Sequence, residues 1–525
     1  MKFAFYVSGH GYGHATRVSA LSSTLLEHGH DVTIVTNAPP LPFASILPRT
    51  ALPPTAIPES VANAPSRDRC AEYRHRNVDA GIVQPKAYDI DRDATLNVLT
   101  EFLNHRCQTL KEEVEWLKAE RFDAVLSDAT FLGCAAAKGA EIPGIIISNF
   151  TFDSCYSYLS HPSLPSPFDP TPPEPPLDRA VLDPLVNQTI SDYACATLLV
   201  RLPGTIPLPA FDSDVPLPSG RWVTPDRTSF TPEVERILSR PVDEIPTVRN
   251  GEKQVVDVPM IVRRPSPQAN TREFRTDLLT SMGVPPDLLD HKVVLVSFGG
   301  QAIPRPRSRR PSPLSSPIMS RSTSAVSTAS SSSALEPPPP LRREAGLLPK
   351  GWIAIVTGLS GGNNAIREDL PYGFFASEKD VYVPDLTWVA DCVLGKLGYG
   401  TCSETLSCKT PFVYVPRPLF VEEFGLKRLM QARGVSLELA RTDFEAGRWE
   451  FHIEEAYERG RATKDDARAR GFEDEGAAEI ISREIERFMD DEERRGRRRR
   501  PREPLVATNG KLVDDERAGS GCVGM

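Results

Sequence analysis

Along most of the chain, short uninterrupted apolar runs alternate with apolar stripes spaced i, i+3, i+7, the pattern of strands alternating with helices. Residues 3–7 form a run of the first kind. Val18, Leu21 and Leu25 then mark a helical stripe reaching Glu27, Gly29 closes it, and Asp31–Thr36 (DVTIVT) reads as the next strand. The same reading predicts a helix over 112–119, a strand over 122–127 (FDAVLS), a helix over 133–138 and a strand at Gly144–Ser148 (GIIIS). Asp128 and Asn149 therefore fall at the carboxyl ends of two strands, where an open α/β sheet binds its ligands.

Residues 205–267 are proline-rich and carry little periodicity, so they read as an irregular linker with one helix near 233–239. Alternation resumes with KVVLVSF at 292–298, with further strands at 352–357, 381–383 and 412–415, a helix at 403–408 and a last amphipathic helix at 477–489. Between the first two of these strands, residues 302–345 hold 12 Ser and 9 Pro. Such a segment cannot bury enough apolar surface to offset its ordering entropy, so it is expected to be disordered. The expected organisation is an α/β domain over 1–204, a proline-rich linker over 205–290, a second α/β domain over 291–488 and a disordered basic tail over 489–525.

Length agrees with this division, since 525 residues exceed what one core supports. A net charge of −9 gives no reason to expect a nucleic acid as partner. Nine cysteines lie scattered, without a C-x-x-C pair or a metal-ligand spacing, which suits reduced thiols and a cytoplasmic setting. The first residues are too short an apolar run for a signal peptide, and no segment approaches a membrane span.

Two stretches carry candidate chemistry. Ser8-Gly9-His10-Gly11-Tyr12-Gly13-His14 sits at the first strand-to-helix junction. Gly9, Gly11 and Gly13 let the backbone approach a ligand, the helix N-terminus offers free N–H groups, and His10 and His14 can exchange a proton near neutral pH. The second stretch runs Lys396-Leu397-Gly398-Tyr399-Gly400-Thr401-Cys402-Ser403-Glu404. Its glycines suit a diphosphate, and a carboxylate in the following helix's first turn suits a ribose diol. Beyond the next strand, Glu422 and Glu423 offer two carboxylates for sugar hydroxyls, although such a pair taken alone is more often a solvated face.

As a set, SGHGYGHATR, FGGQ, GKLGYGT followed by SE, and PFVYV followed by EE resemble the glycosyltransferase-like half of plant L-arabinokinases, over about residues 1–488 without the insert and parts of the linker. More distantly the chain is similar to the bacterial peptidoglycan N-acetylglucosaminyltransferase and UDP-glycosyltransferases. The resemblance implies a GT-B fold, two Rossmann-like domains facing across a cleft, with a UDP-sugar as co-substrate, an unassigned acceptor and no metal. It places His14 on the acceptor side, Gly299, Gly300 and Gln301 near the donor's phosphates, and Glu404 on the nucleotide ribose. Glu422 and Glu423 stand where related transferases carry an acid–Gln or His–Gln pair on the donor sugar, a departure that leaves the donor open. No kinase phosphate loop of the arabinokinase type follows, so kinase activity is not expected.

The expected reaction is glycosyl transfer. His14 or His10 would deprotonate the acceptor, Asp128 would orient the histidine or itself act as base, and Lys396 with nearby N–H groups would stabilise the leaving diphosphate. Two alternatives stand beside it. One is a non-catalytic sugar-nucleotide-binding protein on the same scaffold. The other is a metal-dependent transferase using Asp89-Ile90-Asp91 as a D-x-D pair. At the C-terminus, seven arginines over 494–502 precede Cys522, which is placed as in a prenylation box although Gly524 is a poor fit. Weak membrane attachment through that cysteine, or a solvated tail, are the two readings.

Overall fold

A computed structural model describes residues 1–51, 69–163, 174–298, 346–358, 370–377 and 381–499. Gly299, Gly300, Gln301, the insert 302–345 and Cys522 lie outside the described residues.

The first sheet is built from β1 (Lys2–Val7), β2 (Asp31–Thr36), β3 (Glu72–His75), β4 (Ala124–Asp128), β5 (Gly144–Ser148), β6 (Leu198–Arg201) and β7 (Gln254–Asp257). They run in the order β3-β2-β1-β4-β5-β6-β7, every pair parallel. The second sheet comprises β8 (Lys292–Ser297), β9 (Trp352–Val356), β10 (Phe374–Ala376), β11 (Cys392–Gly395), β12 (Phe412–Tyr414) and β13 (Ser436–Glu438). Its order is β10-β9-β8-β11-β12-β13, again parallel throughout. The central strands of both sheets are buried over almost their whole length, which is why they read as continuous apolar runs. In each sheet the chain reverses direction of winding at the first strand, between β1 and β4 and between β8 and β11. Those are the switch points at which Rossmann-type sheets open a crevice beyond the strand ends. The fold is α/β with two Rossmann-like sheets of GT-B-like organisation.

Several elements differ from the sequence expectation. The first helix begins at Tyr12, inside the glycine turn, and runs to Glu27. The helix expected over 112–119 is the last part of a 28-residue helix, Arg92–Ala119, opened by Asp91, whose carboxylate accepts from the Ala94 N–H. Gln254–Asp257, inside the stretch read as an irregular linker, is the edge strand β7; four residues are too few to show a period. No strand forms over 381–383, where the Val383–Val389 helix starts with Pro384 in its first turn. The last helix does not stop at 489 but runs Ala477–Arg499, with Arg494 and Arg495 paired to Asp491 and Glu492 one turn back.

Both sheets belong to one compact unit, Met1–Ser482. A segment after β3 joins them: Ala87 and Tyr88 are buried in the core of the second sheet beside Phe298, Phe444 and Trp449. Tyr88 donates to Glu445 (3.0 Å), and Asp89 is ion-paired with Arg441. Both carboxylates of the D-x-D stretch are thus engaged within the chain, Asp89 by Arg441 and Asp91 as a helix cap.

Candidate active site between the two sheets

The two glycine-rich junctions face each other. The Tyr12–Glu27 helix packs on the Tyr399–Ser407 helix through their first turns, so closely that a methyl group at Gly400 would lie 3.9 Å from the Gly13 Cα. Two helix N-termini therefore converge on one region, each with free N–H groups and a positive dipole end. Around Gly13 and Gly398 a side chain would meet open space, whereas a Cβ at Gly9 would have to displace the Asn37 amide and would stand 3.2 Å from the Ala38 backbone N. Gly11, at φ +90, takes a backbone conformation that favours glycine.

At the first switch point, Asp128 ends β4 and is buried. Arg17 donates to it from Nε (2.7 Å, to Oδ2) and from Nη2, and His14 Nδ1 lies 3.1 Å from Oδ1. Burial alone would raise the Asp128 carboxyl; the charges of Arg17 and then His14 outweigh it and hold the group below its ordinary value. An ionised Asp128 can only accept, so His14 Nδ1 carries a proton toward Asp128 and Nε2 is the ring nitrogen left outside that bond. Arg17 Nη2 also approaches His14 Nδ1 (3.2 Å), but the charge-assisted bond to the carboxylate is the stronger and sets the tautomer. The His14 ring lies against Phe150 and Phe152, with centroids 5.8 and 6.5 Å away.

From Arg17 the network crosses to the second sheet. Arg17 Nη1 donates to Asn149 Oδ1 (3.0 Å), and Asn149 Nδ2 donates to Glu422 Oε1 (3.1 Å). Arg417 donates to Glu423 from its backbone N (2.8 Å) and from Nε (3.0 Å), and to the Leu397 carbonyl from Nη2. Glu422 and Glu423 both lie within ion-pair distance of Arg417 (3.9 and 3.0 Å), but only Glu423 accepts its hydrogen bonds, while Glu422 also reaches across to Asn149. Burial pushes Glu423 up from its ordinary value, with Arg417 opposing. Lys396 is brought down to about 7, by burial first and the Arg417 charge second, against the pull of Glu422 and Glu423.

His10 differs from His14. Its Nδ1 accepts from the Ile82 N–H (3.3 Å), and Gly81 sits where a Cβ would press on the ring at 3.2 Å. Burial, then the charges of His14, Lys396 and Arg417, take it down to about 3, so it stays neutral. Glu404 lies in the second turn of its helix, not the first, because the helix starts four residues earlier than the apolar stripe suggests. Its Oε1 accepts both Arg263 bonds (2.9 and 2.6 Å), which leaves Oε2 outside that ion pair. Ser403 turns inward to the helix itself, its Oγ donating to the Gly400 carbonyl, while the Thr401 backbone carbonyl accepts from the Thr405 hydroxyl.

Sequence reasoning missed four groups here. Arg17 lay inside the quoted motif and went unassigned, while Arg263 and Arg417 stood in irregular segments. Asp79 is the fourth: it is buried near Ser8 and His14, its Oδ2 accepts no hydrogen bond, and burial raises it to about 6. Nothing in the aperiodic stretch that holds Asp79 pointed to the glycine turn.

No protein-family model matches the chain. It is 30% identical over 456 residues to the L-arabinokinase of Arabidopsis thaliana, a match that covers 86% of this chain and 32% of that protein, so the chain spans about a third of its relative. Among solved structures it is similar to the calicheamicin glycosyltransferase CalG4 (14% identity, TM-score 0.46, 93% of this chain and 98% of that one). It also overlaps a UDP-glucosyltransferase from Polygonum tinctorium (11% identity, TM-score 0.44, 93% and 98%). The chain is thus a protein with two parallel Rossmann-like α/β sheets that resembles, over most of its own length, part of a plant L-arabinokinase.

Proposed function

We propose that the chain transfers a glycosyl group from a nucleotide sugar, a UDP-sugar in the first instance, to an acceptor hydroxyl. The observation that carries this reading is the convergence of two glycine-rich helix N-termini, with His14 and its Asp128 partner on the first sheet's side and Lys396 on the second's. His14 Nε2 takes the acceptor proton; Asp128 holds the tautomer and stabilises the imidazolium that forms. Leaving-group charge on a diphosphate develops beside the N-terminus of the Tyr399–Ser407 helix and Lys396. Glu404 Oε2 is free to accept a ribose hydroxyl while Oε1 stays with Arg263. His10, neutral and hydrogen-bonded to the Ile82 N–H, is a positioning group in this scheme, and the base is His14.

A second reading, a sugar-nucleotide-binding protein without turnover, draws on the commitment of Glu422 to Asn149 and of Glu423 to Arg417. The Arabidopsis relative's name brings a third, phosphorylation of L-arabinose. Calorimetric titration of UDP into the full chain, without added metal, tests the donor site: binding in the wild type that weakens at least about tenfold in Glu404→Gln supports it. Equal binding by both proteins, or none by either, contradicts it. ADP release from ATP with L-arabinose would replace it with the kinase reading.

A further inference from the structure

Outside the His14–Asp128–Arg17 network, a second group of polar side chains gathers where the Arg92–Ala119 helix begins and the Phe152–Tyr158 helix ends. Arg92 is the first residue of its helix and is 1% exposed. Its Nη1 donates to the Pro175 carbonyl (3.0 Å) and its Nη2 to the His161 carbonyl (2.9 Å) and Ser163 Oγ (2.6 Å). Tyr158 closes the other helix, fully buried, and its ring lies 5.2 Å from that of His161. Gly220 makes room for the imidazole, since a Cβ there would stand 2.8 Å from His161 Nδ1. Arg227 completes the group from a tight turn. Asp226 accepts from Thr224 and Thr228, the chain pairs Val223 with Phe230, and Arg227 itself is held at φ 54, an uncommon conformation for a side-chain-bearing residue.

Five atoms of these four residues are buried without a hydrogen-bond partner: Arg92 Nε, Tyr158 Oη, His161 Nε2, and Arg227 Nε and Nη1. All five can donate, and the two guanidiniums can do nothing else. Each of Arg92, Tyr158 and His161 feels the charge of Arg227, and Arg92 also acts on Tyr158 and His161. Among the described residues neither guanidinium is in an ion pair, although Glu174 and Asp93 act on Arg92 from farther away. Arg92 is buried and Arg227 half-buried, and a buried guanidinium without an ion-pair partner among the described residues is costly. Glu423 acts on Tyr158 as well, yet among the described residues no acceptor meets these five donor atoms.

We propose that Arg92, Tyr158, His161 and Arg227 form an anion-binding site for a phosphate-class oxyanion. Two guanidiniums neutralise the charge, and the phenol and the imidazole Nε2 supply further donors from one side. The site takes a phosphate group as such, so inorganic phosphate is a sufficient probe. This inference does not depend on the glycosyltransferase reading.

The experiment is calorimetric titration of the full chain with inorganic phosphate, with sodium chloride and malonate at matched ionic strength as controls, on wild type, Arg227→Gln, Arg227→Lys and Tyr158→Phe. Phosphate is expected to bind the wild type, and to bind Arg227→Gln about ten- to hundredfold more weakly, the loss of a charge-assisted pair. Arg227→Lys should recover part of the affinity, and Tyr158→Phe, which removes only one hydroxyl, should lose less. Unliganded melting temperatures matching the wild type show that the variants are folded. Phosphate binding no stronger than chloride, equal binding by wild type and Arg227→Gln, or binding of malonate but not phosphate would each overturn the proposal.

Discussion

The buried pair between Arg17 and Asp128 is open to a double-mutant cycle. In Asp128→Asn the Arg17 guanidinium stays buried but loses both bonds to a carboxylate, and His14 loses the acceptor that fixes its tautomer. Removing one partner of a buried ion pair costs about 3–5 kcal/mol, because the other charge remains uncompensated. For the compact unit Met1–Ser482, at roughly 2 cal/mol/K per residue, that corresponds to a melting temperature lower by about 3–5 °C. Arg17→Met should cost a similar amount, and the double variant should cost at least about 2 kcal/mol less than the sum, since it leaves no unpaired charge.

The pH dependence separates the single variants further. Asp128 in the wild type lies below its ordinary value of 3.8, so its stabilisation is complete above that pH and is lost as pH falls through the native value. In Arg17→Met burial becomes the dominant influence and the carboxyl rises above 3.8. Its native state then favours the protonated form, so the destabilisation is present at neutral pH and is relieved on acidification. Urea denaturation between pH 7 and pH 5 should show the gap between Arg17→Met and wild type narrowing. An additive cycle with a gap independent of pH would refute the claim that this ion pair organises the first switch point.

Three further predictions follow from the same contacts. A diphosphate beside Lys396 should draw its proton on, so nucleotide binding is expected to take up protons at pH 8 and to weaken as pH rises above about 7. Calorimetry in buffers of different ionisation enthalpy would show this, and affinity flat from pH 6 to pH 9 would exclude it. Tyr88→Ala should destabilise by about 3–5 kcal/mol, as for a buried aromatic, while Arg441→Ala, whose partner is partly exposed, should cost about 1 kcal/mol or less; equal effects in urea melts would contradict the anchoring of Tyr88 in the second core. Among the described cysteines, Cys70 and Cys107 are exposed, whereas burial pushes Cys134 up to about 12 and raises Cys155 and Cys402 as well. Native labelling with a thiol reagent should therefore modify Cys70 and Cys107 first, and rapid modification of Cys402 would count against a closed second sheet.

Much of this architecture is legible in the chain. β1, β2, β5 and β8 announce themselves because strands buried on both faces need continuous apolar runs, and the glycine turns because a close backbone approach excludes side chains. The meeting of His14 with Asp128 follows once both are placed at neighbouring strand ends. β7, β10 and β11 escape because three or four residues carry no measurable period. The partners of Glu404 and Glu423 are not legible for a different reason: Arg263 and Arg417 stand in irregular segments with no local pattern, and the Glu422–Asn149 bond joins two distant segments. A carboxylate's freedom depends on those tertiary contacts. The Arg92–Arg227 group is hidden in the same way, joined only when the 224–229 turn folds back on the helix ends.

The measurement that bears most directly on the proposed activity is UDP release from a panel of UDP-sugars by the full chain, without metal, compared between wild type and His14→Ala. Turnover with at least one donor, reduced about a hundredfold or more in His14→Ala while UDP binding is kept, is the predicted result. Turnover unchanged in His14→Ala would contradict the assigned base, and UDP binding without turnover in the wild type would contradict transfer itself.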